Sequence, residues 1–116
     1  METVNGCTVT PPAEARGPLR LADPASYVVM TRDFGPGQGP EPHIHPHTDE
    51  AFYIASGEAT FLLGDREVQV NPGSVVFVPR GTPHTLRNSG TEQLRGLILV
   101  SPADAEHTSV AVGTVA

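Results

Sequence analysis

The segment His43–Glu50, HIHPHTDE, holds three imidazoles and two carboxylates within eight residues. His43 and His45 are two positions apart, so in an extended strand both side chains point to one face. Glu50 follows a proline-containing turn, and a paired return strand would bring its carboxylate back beside the two rings. His84, from a third strand, would complete three nitrogens and one oxygen, a set suited to Fe, Mn, Ni, Cu or Zn. The sequence predicts one divalent transition metal per chain on these four side chains.

The spacing around these residues distinguishes them from ordinary surface histidines, which are the commoner case. Five residues separate Gly37 from His43, four separate His45 from Glu50, and six separate Glu50 from Gly57. This pattern resembles the first motif of the cupin superfamily. The second motif is matched by Gly73, Pro79, Gly81, His84 and Asn88, with gaps of five, one, two and three residues.

The resemblance covers residues 37–88, which are 52 of the 116 residues. It implies an all-β fold, a double-stranded β-helix or jelly-roll barrel, with the metal inside near the mouth. It also implies a dimer, since cupins of this size are usually dimers. Two long gapped motifs are specific for the fold and the metal site, but they say little about the substrate.

The rest of the chain favours the same fold class. Proline and glycine number twelve each, a density that interrupts helices and favours short strands joined by turns. Segments rich in β-formers recur every eight to ten residues from Tyr27 to Val100, which predicts a sandwich or small barrel able to hold one small ligand. The nearly all-apolar segment Ser74–Val78 is expected to be a strand buried on both faces.

Three regions are predicted along the chain. Residues 1–18 form a flexible arm, which could alternatively lie over a neighbouring subunit. Residues 19–102 form the cupin β-barrel domain, with residues 19–21 as a short edge strand. Residues 103–116 form a C-terminal tail, where His107 is expected to be an idle, solvated side chain. Because open strand edges favour pairing between chains, a homodimer with twofold symmetry is expected.

Composition excludes several classes of partner. The formal net charge is −6, with seven arginines and no lysine, so the chain would repel a nucleic-acid backbone. The first twenty residues lack the pattern of a signal peptide, and no apolar run reaches membrane-spanning length. We therefore expect a cytoplasmic protein with no nucleic-acid or membrane partner. Cys7 is the single cysteine, so no intrachain disulfide is possible, and we expect an inert surface thiol.

The predicted substrate is a small molecule. Glu50 is the predicted catalytic residue, because it alone among the ligands could also leave the metal and move a proton. Asp49 is expected to be a solvated loop carboxylate, while Arg80 and Asn88 would fix the turn and strand around His84. Alternatively, Arg80 could anchor a substrate carboxylate, and His47 could contact a ligand instead of solvent. The candidates for the substrate pocket are Tyr27, Met30, Phe52, Phe61, Phe77, His47 and Arg80.

Three classes of function fit these residues. The first is a metal-dependent oxidoreductase of dioxygenase type, and the second is a non-redox isomerase, cyclase, epimerase or lyase using the metal as a Lewis acid. The third is a non-catalytic cupin that binds a small ligand. Since the sequence offers no Ser-His-Asp set, reactive cysteine or lysine for covalent catalysis, any chemistry would run through the metal. We favour an enzyme, and the dioxygenase over the isomerase or cyclase.

Overall fold

The computed structural model describes residues 1–11, 27–102 and 110–112, and within these ranges the chain forms eleven strands and no helix. These ranges therefore contain no helical segment able to cross a membrane. The strands are β1 Glu2–Val4, β2 Cys7–Thr10, β3 Val28–Phe34, β4 His43–Ile44, β5 Asp49–Ser56, β6 Ala59–Leu63, β7 Arg66–Val70, β8 Val75–Val78, β9 His84–Asn88, β10 Leu94–Ser101 and β11 Val110–Ala111.

The strands form two antiparallel sheets. One has six strands in the order β1-β2-β8-β5-β10-β3, and the other has five in the order β11-β4-β9-β6-β7. Neighbours in each sheet are mostly distant in sequence, as in a jelly roll, where the chain alternates between two facing sheets. The predicted fold class, an all-β double-stranded β-helix, is confirmed.

The core lies between the sheets and is filled by alternate residues of each strand. In β5, Phe52 and Ile54 are buried while Tyr53 between them is exposed, as a period of two requires. Phe52 meets Phe61 of the opposite sheet edge-to-face, with ring centroids 5.2 Å apart. This aromatic contact joins the sheets directly beside the histidine-bearing strands.

The prediction of a flexible arm is wrong for residues 2–10. β1 and β2 form a hairpin whose turn residues Asn5 and Gly6 have φ values of 49° and 81°. Asn-Gly is a strong signal for this kind of turn, because both residues tolerate positive φ. β2 then pairs with β8 and so extends the six-stranded sheet.

Burial of the hairpin also corrects the expectation for Cys7. Its side chain is fully buried in the core with Val4 and Val9, because these three positions point to the inner side of the hairpin. Cys7 is therefore a core residue and not a surface thiol.

Two other expectations change. Val110 and Ala111, in the predicted tail, pair with Ile44 and His43 and place a strand beside the site. In β8, Val76 and Val78 are buried while the alternate residues are only half-buried, so the prediction of burial on both faces is wrong: the described chain has no third layer over this sheet. The predicted edge strand at residues 19–21 and His107 lie outside the described residues.

Candidate metal centre

The four predicted ligands come from both sheets. His43 in β4 and His84 in β9 are register partners in the five-stranded sheet, and His45 follows β4 by one residue. Glu50 is the second residue of β5 in the six-stranded sheet. The expectation that a paired return strand brings Glu50 to the histidines is therefore wrong, because its carboxylate reaches them from the opposite sheet.

The structure brings all four side chains together. Their ligand atoms lie within 4.8 Å of one another. Glu50 Oε1 is 2.9 Å from His45 Nε2 and 3.0 Å from His84 Nε2. His45, Glu50 and His84 are buried, and His43 is half-buried. A cluster of this kind suggests a divalent metal, whereas the role of each residue as a ligand remains a prediction.

Backbone carbonyls orient two of the rings. His43 Nδ1 is 2.7 Å from the carbonyl oxygen of Glu41, and His84 Nδ1 is 2.9 Å from that of Thr82. Because a carbonyl oxygen can only accept, each Nδ1 carries a proton and donates it. In the neutral ring, the lone pair is then on Nε2, the atom that in His84 faces Glu50. Metal-binding histidines are held in this way by the atoms around them.

This geometry favours a proton or a cation at the centre of the cluster. Suppose that His84 were neutral, with no proton or cation between its Nε2 atom and Glu50. The Nε2 lone pair would then face an oxygen of ionised Glu50 at 3.0 Å, and two acceptors repel at that distance. A proton on the ring relieves one such contact. A divalent cation can satisfy the Nε2 lone pairs and the carboxylate together, so the residues present fit a divalent metal.

The charge states also fit a metal. Burial raises the pKa of the Glu50 carboxyl, but the hydrogen bonds and charges of His45 and His84 outweigh burial and hold that pKa at about 2. Burial lowers the pKa of His43; the neighbouring rings act in the same direction, while the hydrogen bond to Glu41 and the Glu50 charge oppose. An ionised carboxylate and a neutral imidazole are the forms that bind a metal.

Asp49, beside Glu50, is held by Arg80. Its Oδ1 accepts from the Arg80 backbone N–H at 2.8 Å and from Nε at 3.1 Å, and its Oδ2 accepts from Nη2 at 3.0 Å. Asp49 lies in β5 and is only 1% exposed. The expectation of a solvated loop carboxylate is therefore wrong, because this residue is buried and ion-paired.

The turn fixed by Arg80 positions two histidines. The next residue, Gly81, donates its backbone N–H to the carbonyl oxygen of His45 at 2.9 Å. Thr82 then supplies the carbonyl that orients His84. These contacts support the structural interpretation of Arg80.

Asn88 has the predicted structural role at the end of β9. Its Nδ2 donates to the carbonyl oxygens of Phe34 at 2.9 Å and Glu92 at 2.7 Å, and its Oδ1 accepts from Gly90 N–H at 3.0 Å. Asn88 thus joins the end of β9 to the end of β3 and to the following loop.

The cluster opens onto a cavity of about 500 Å³, a volume typical of small-molecule sites. Its wall is mainly apolar, and the charged side chains in it, besides the histidines, are Arg32, Glu41 and Glu50. The principal apolar side chains are Met30, Phe34, Phe52, Leu86 and Ile98.

Two of the seven predicted pocket residues, Met30 and Phe52, line this cavity. The lining, drawn from the described residues, does not include the other five, Tyr27, Phe61, Phe77, His47 and Arg80.

Each of the five has a different environment. Tyr27 precedes β3 and is 58% exposed, and His47 is exposed beyond the β4 turn. Phe61 is fully buried behind Phe52. Phe77 lies on the half-buried side of β8. The Arg80 side chain forms an ion pair with Asp49.

Sequence reasoning missed Arg32, Phe34, Leu86 and Ile98 as cavity residues. A signal was present for three of them: Arg32 and Phe34 follow Met30 at the strand period of two. Leu86 likewise shares a face with His84. Ile98 could be found only by knowing that β10 lies between β5 and β3.

Comparison with known proteins agrees with the fold and the site. Residues 30–101 match the family described as Cupin domain. The tetracenomycin polyketide synthase protein TcmJ of Streptomyces glaucescens is 29% identical over 101 residues, covering 82% of this chain and 68% of that protein. Quercetin 2,3-dioxygenase of Bacillus subtilis is 31% identical over 61 residues, covering 53% of this chain but only 18% of that enzyme.

A solved structure shows the same architecture. A conserved protein with a double-stranded beta-helix domain from Klebsiella pneumoniae has a TM-score of 0.66 and 28% sequence identity. The match covers 74% of this chain and 71% of that one.

Proposed function

The chain belongs to the cupin superfamily, and on that premise we propose that it is a metal-dependent enzyme of dioxygenase type acting on a small organic molecule. The observation that carries the proposal is the group of three histidines and one glutamate, with ligand atoms within 4.8 Å, beside a mainly apolar cavity wall. His43, His45, Glu50 and His84 would hold one divalent transition metal. When bound, the metal would take two oxygen atoms of the substrate, lower the pKa of a bound hydroxyl and supply redox chemistry.

The protein residues have separable roles. Glu50 is ionised at neutral pH, since its pKa is held at about 2, and this is the form that binds a metal. Accepting the proton of a substrate hydroxyl is the second role that we propose for it. The carbonyls of Glu41 and Thr82 keep the rings of His43 and His84 in one orientation. Met30, Phe52 and Ile98 supply apolar surface against which the substrate would pack. These features suit a bidentate oxygen compound such as an enolate, an α-hydroxy acid or a catecholate.

Two chemistries are considered for the same site. Similarity to quercetin 2,3-dioxygenase favours dioxygenase chemistry. The alternative is a non-redox isomerase, cyclase, epimerase or lyase that uses the metal as a Lewis acid. Both require the metal cluster and Glu50.

The test is anaerobic purification without chelators, metal analysis, and oxygen-uptake assays with a panel of catechols, enediols and α-hydroxy acids. We expect about one transition metal per chain and oxygen consumption that disappears when the metal is removed. A protein that contains no metal and takes none up would refute the site. Full turnover with zinc under strict anaerobiosis would establish the non-redox alternative, and ligand binding without turnover would indicate a binding protein.

We also propose a homodimer with twofold symmetry. Among the described strands, β3 is an edge of the six-stranded sheet, and Val29, Tyr53 and Leu97 on the outer side of that sheet are 49%, 41% and 36% exposed. An open edge beside exposed apolar side chains favours association. Light scattering should give twice the chain mass of 12.2 kDa, and a monomer at micromolar concentration would contradict this assembly.

A further inference from the structure

We propose that Arg32 is an anion-binding residue of the cavity, and that the substrate carries a carboxylate in addition to its metal-binding oxygens. The inference rests on the proposed function, because it names the substrate class of the same site.

The position of Arg32 follows from strand alternation. Arg32 shares a side of β3 with Met30 and Phe34, and all three line the cavity, but Arg32 is exposed whereas its two neighbours are half-buried. Met30 pairs in register with Ile98, and Ile98 pairs with Phe52. Arg32 therefore follows Met30 along the same wall, at a solvent-exposed part of the cavity.

The residue opposite Arg32 is a glycine, so no side chain from that position covers the arginine. Arg32 pairs with Gly96, and a Cβ at Gly96 would lie 2.5 Å from the carbonyl oxygen of Tyr53. A side chain at this position is therefore excluded. Arg32, Phe34 and Gly96 line a gap of about 20 Å³, and the first two also line the main cavity.

Phe34 holds the guanidinium in place. The Arg32 guanidinium carbon is 5.3 Å from the centre of the Phe34 ring, a distance at which a cation over an aromatic face is attracted. Stacking of this kind leaves the N–H donors at the edge of the guanidinium available for a planar oxyanion. The acids in the ion pairs of the described residues are Glu2, Asp49 and Glu50, and none of them pairs with Arg32.

The spacing of positive charge defines the ligand. Val28 of β3 is in register with Glu50 through Val100 of β10, and Arg32 lies four residues further along β3. The separation is therefore about 10 Å across the sheet, for two strand spacings, and about 13 Å along it. A metal bound by Glu50 and three neutral histidines would carry one net positive charge, and Arg32 adds a second at a distance. Among the described residues of the wall, Glu41 is the one acid outside the cluster. A molecule with oxygen ligands at one end, an apolar body and a carboxylate at the other end matches this distribution.

The test uses one ligand pair and two matched arginine variants. The ligands are 3-(3,4-dihydroxyphenyl)propanoate and its neutral amide, which differ only in the carboxylate. Binding of each is measured by calorimetry to the wild type, Arg32→Gln and Arg95→Gln, with the metal bound and after its removal. Arg95 is exposed and neighbours Gly96 on the same strand, but it does not line the cavity.

We expect the wild type to bind the carboxylate at least about tenfold more tightly than the amide. Arg32→Gln should remove this preference while changing amide binding less than twofold, Arg32→Lys should keep part of it, and Arg95→Gln should keep all of it. Equal affinities for the two ligands in the wild type, no binding of either, or an unchanged preference in Arg32→Gln would each overturn the proposal. An Arg32-dependent preference with equal binding in metal-loaded and metal-free protein would refute the metal's role and leave the arginine site standing.

Discussion

Asp49 and Glu50 are neighbours in β5 and both are buried, but their charges are balanced by different kinds of partner. Asp49 receives three N–H donors from Arg80, whose guanidinium is a permanent cation. Glu50 faces His45 and His84, whose positive charge depends on pH. The negative charge of Asp49 is therefore balanced by the protein itself, whereas balancing the charge of Glu50 requires a proton on a histidine or a bound metal ion. This difference separates a structural carboxylate from one available for chemistry.

The strongest test of this contrast removes a histidine. His84→Ala should weaken metal binding by at least about a hundredfold, because it removes a ligand rather than an outer contact. Metal content after dialysis, measured by mass spectrometry, is the readout. His47→Ala is the matched control, since His47 is exposed and lies outside the cluster. Full metal occupancy in a variant that lacks both His43 and His84 would disprove the assignment.

The next test changes the chemistry of Glu50 but not its size. Glu50→Gln should lower turnover by about tenfold to a thousandfold while some metal is retained, because an amide oxygen can ligate but cannot carry the proton. Turnover would be followed on whichever panel compound is consumed. Glu67→Gln, at an exposed position of β7, should behave as the wild type. Undiminished turnover in Glu50→Gln would reduce Glu50 to a simple ligand.

The corresponding change at Asp49 should affect stability instead. Asp49→Ala should lower the free energy of unfolding by about 3 kcal/mol, because it breaks a buried ion pair. The Arg80 side chain is 42% exposed, so water can solvate the cation that loses its partner. The expected loss of stability is therefore at the low end of the range for broken buried ion pairs. Urea unfolding gives the value.

The exposed pair of Glu2 and Arg66 offers a control for that measurement. Its side chains are 51% and 56% exposed, so Glu2→Ala should cost less than about 0.5 kcal/mol. Equal losses in Asp49→Ala and Glu2→Ala would show that burial of Asp49 does not matter. Loss of stoichiometric metal binding in the folded Asp49→Ala protein would contradict the proposal that Asp49 serves stability and Glu50 serves metal binding.

The sequence predicts the four clustered side chains because both motifs have fixed local spacing. His43 and His45 share a short strand, and His84 follows a turn marked by two prolines and a glycine. The partner sheet of Glu50 could not be deduced, because strand pairing between distant segments is decided by the whole fold. The same limit applies to Arg32, since its position on the cavity depends on β10 lying beside β3.

The N-terminal hairpin could have been predicted from the sequence. Asn5-Gly6 is flanked by Val4, Cys7 and Val9, which supply the inward-facing residues on either side of the turn. The predominantly polar composition of the first eighteen residues obscured this short pattern. Burial of Asp49 had no such signal, because its partner Arg80 lies 31 residues away.

Cys7 supplies a third case, a buried ionisable group with no charged partner among the described residues, and its effect is confined to alkaline pH. Burial raises the pKa of the Cys7 thiol to about 11 from an ordinary value of 9.0. Between these two values the folded protein holds a proton that the unfolded chain has lost, so the free energy of unfolding falls as the pH rises. This contribution should be intact below pH 9 and should decline by about 2 kcal/mol towards pH 11. Urea unfolding of wild type and Cys7→Ala at several pH values isolates it, because all other titrating groups are shared. A stability difference between the two proteins that stays constant from pH 8 to pH 11 would show that burial does not hold the proton on Cys7.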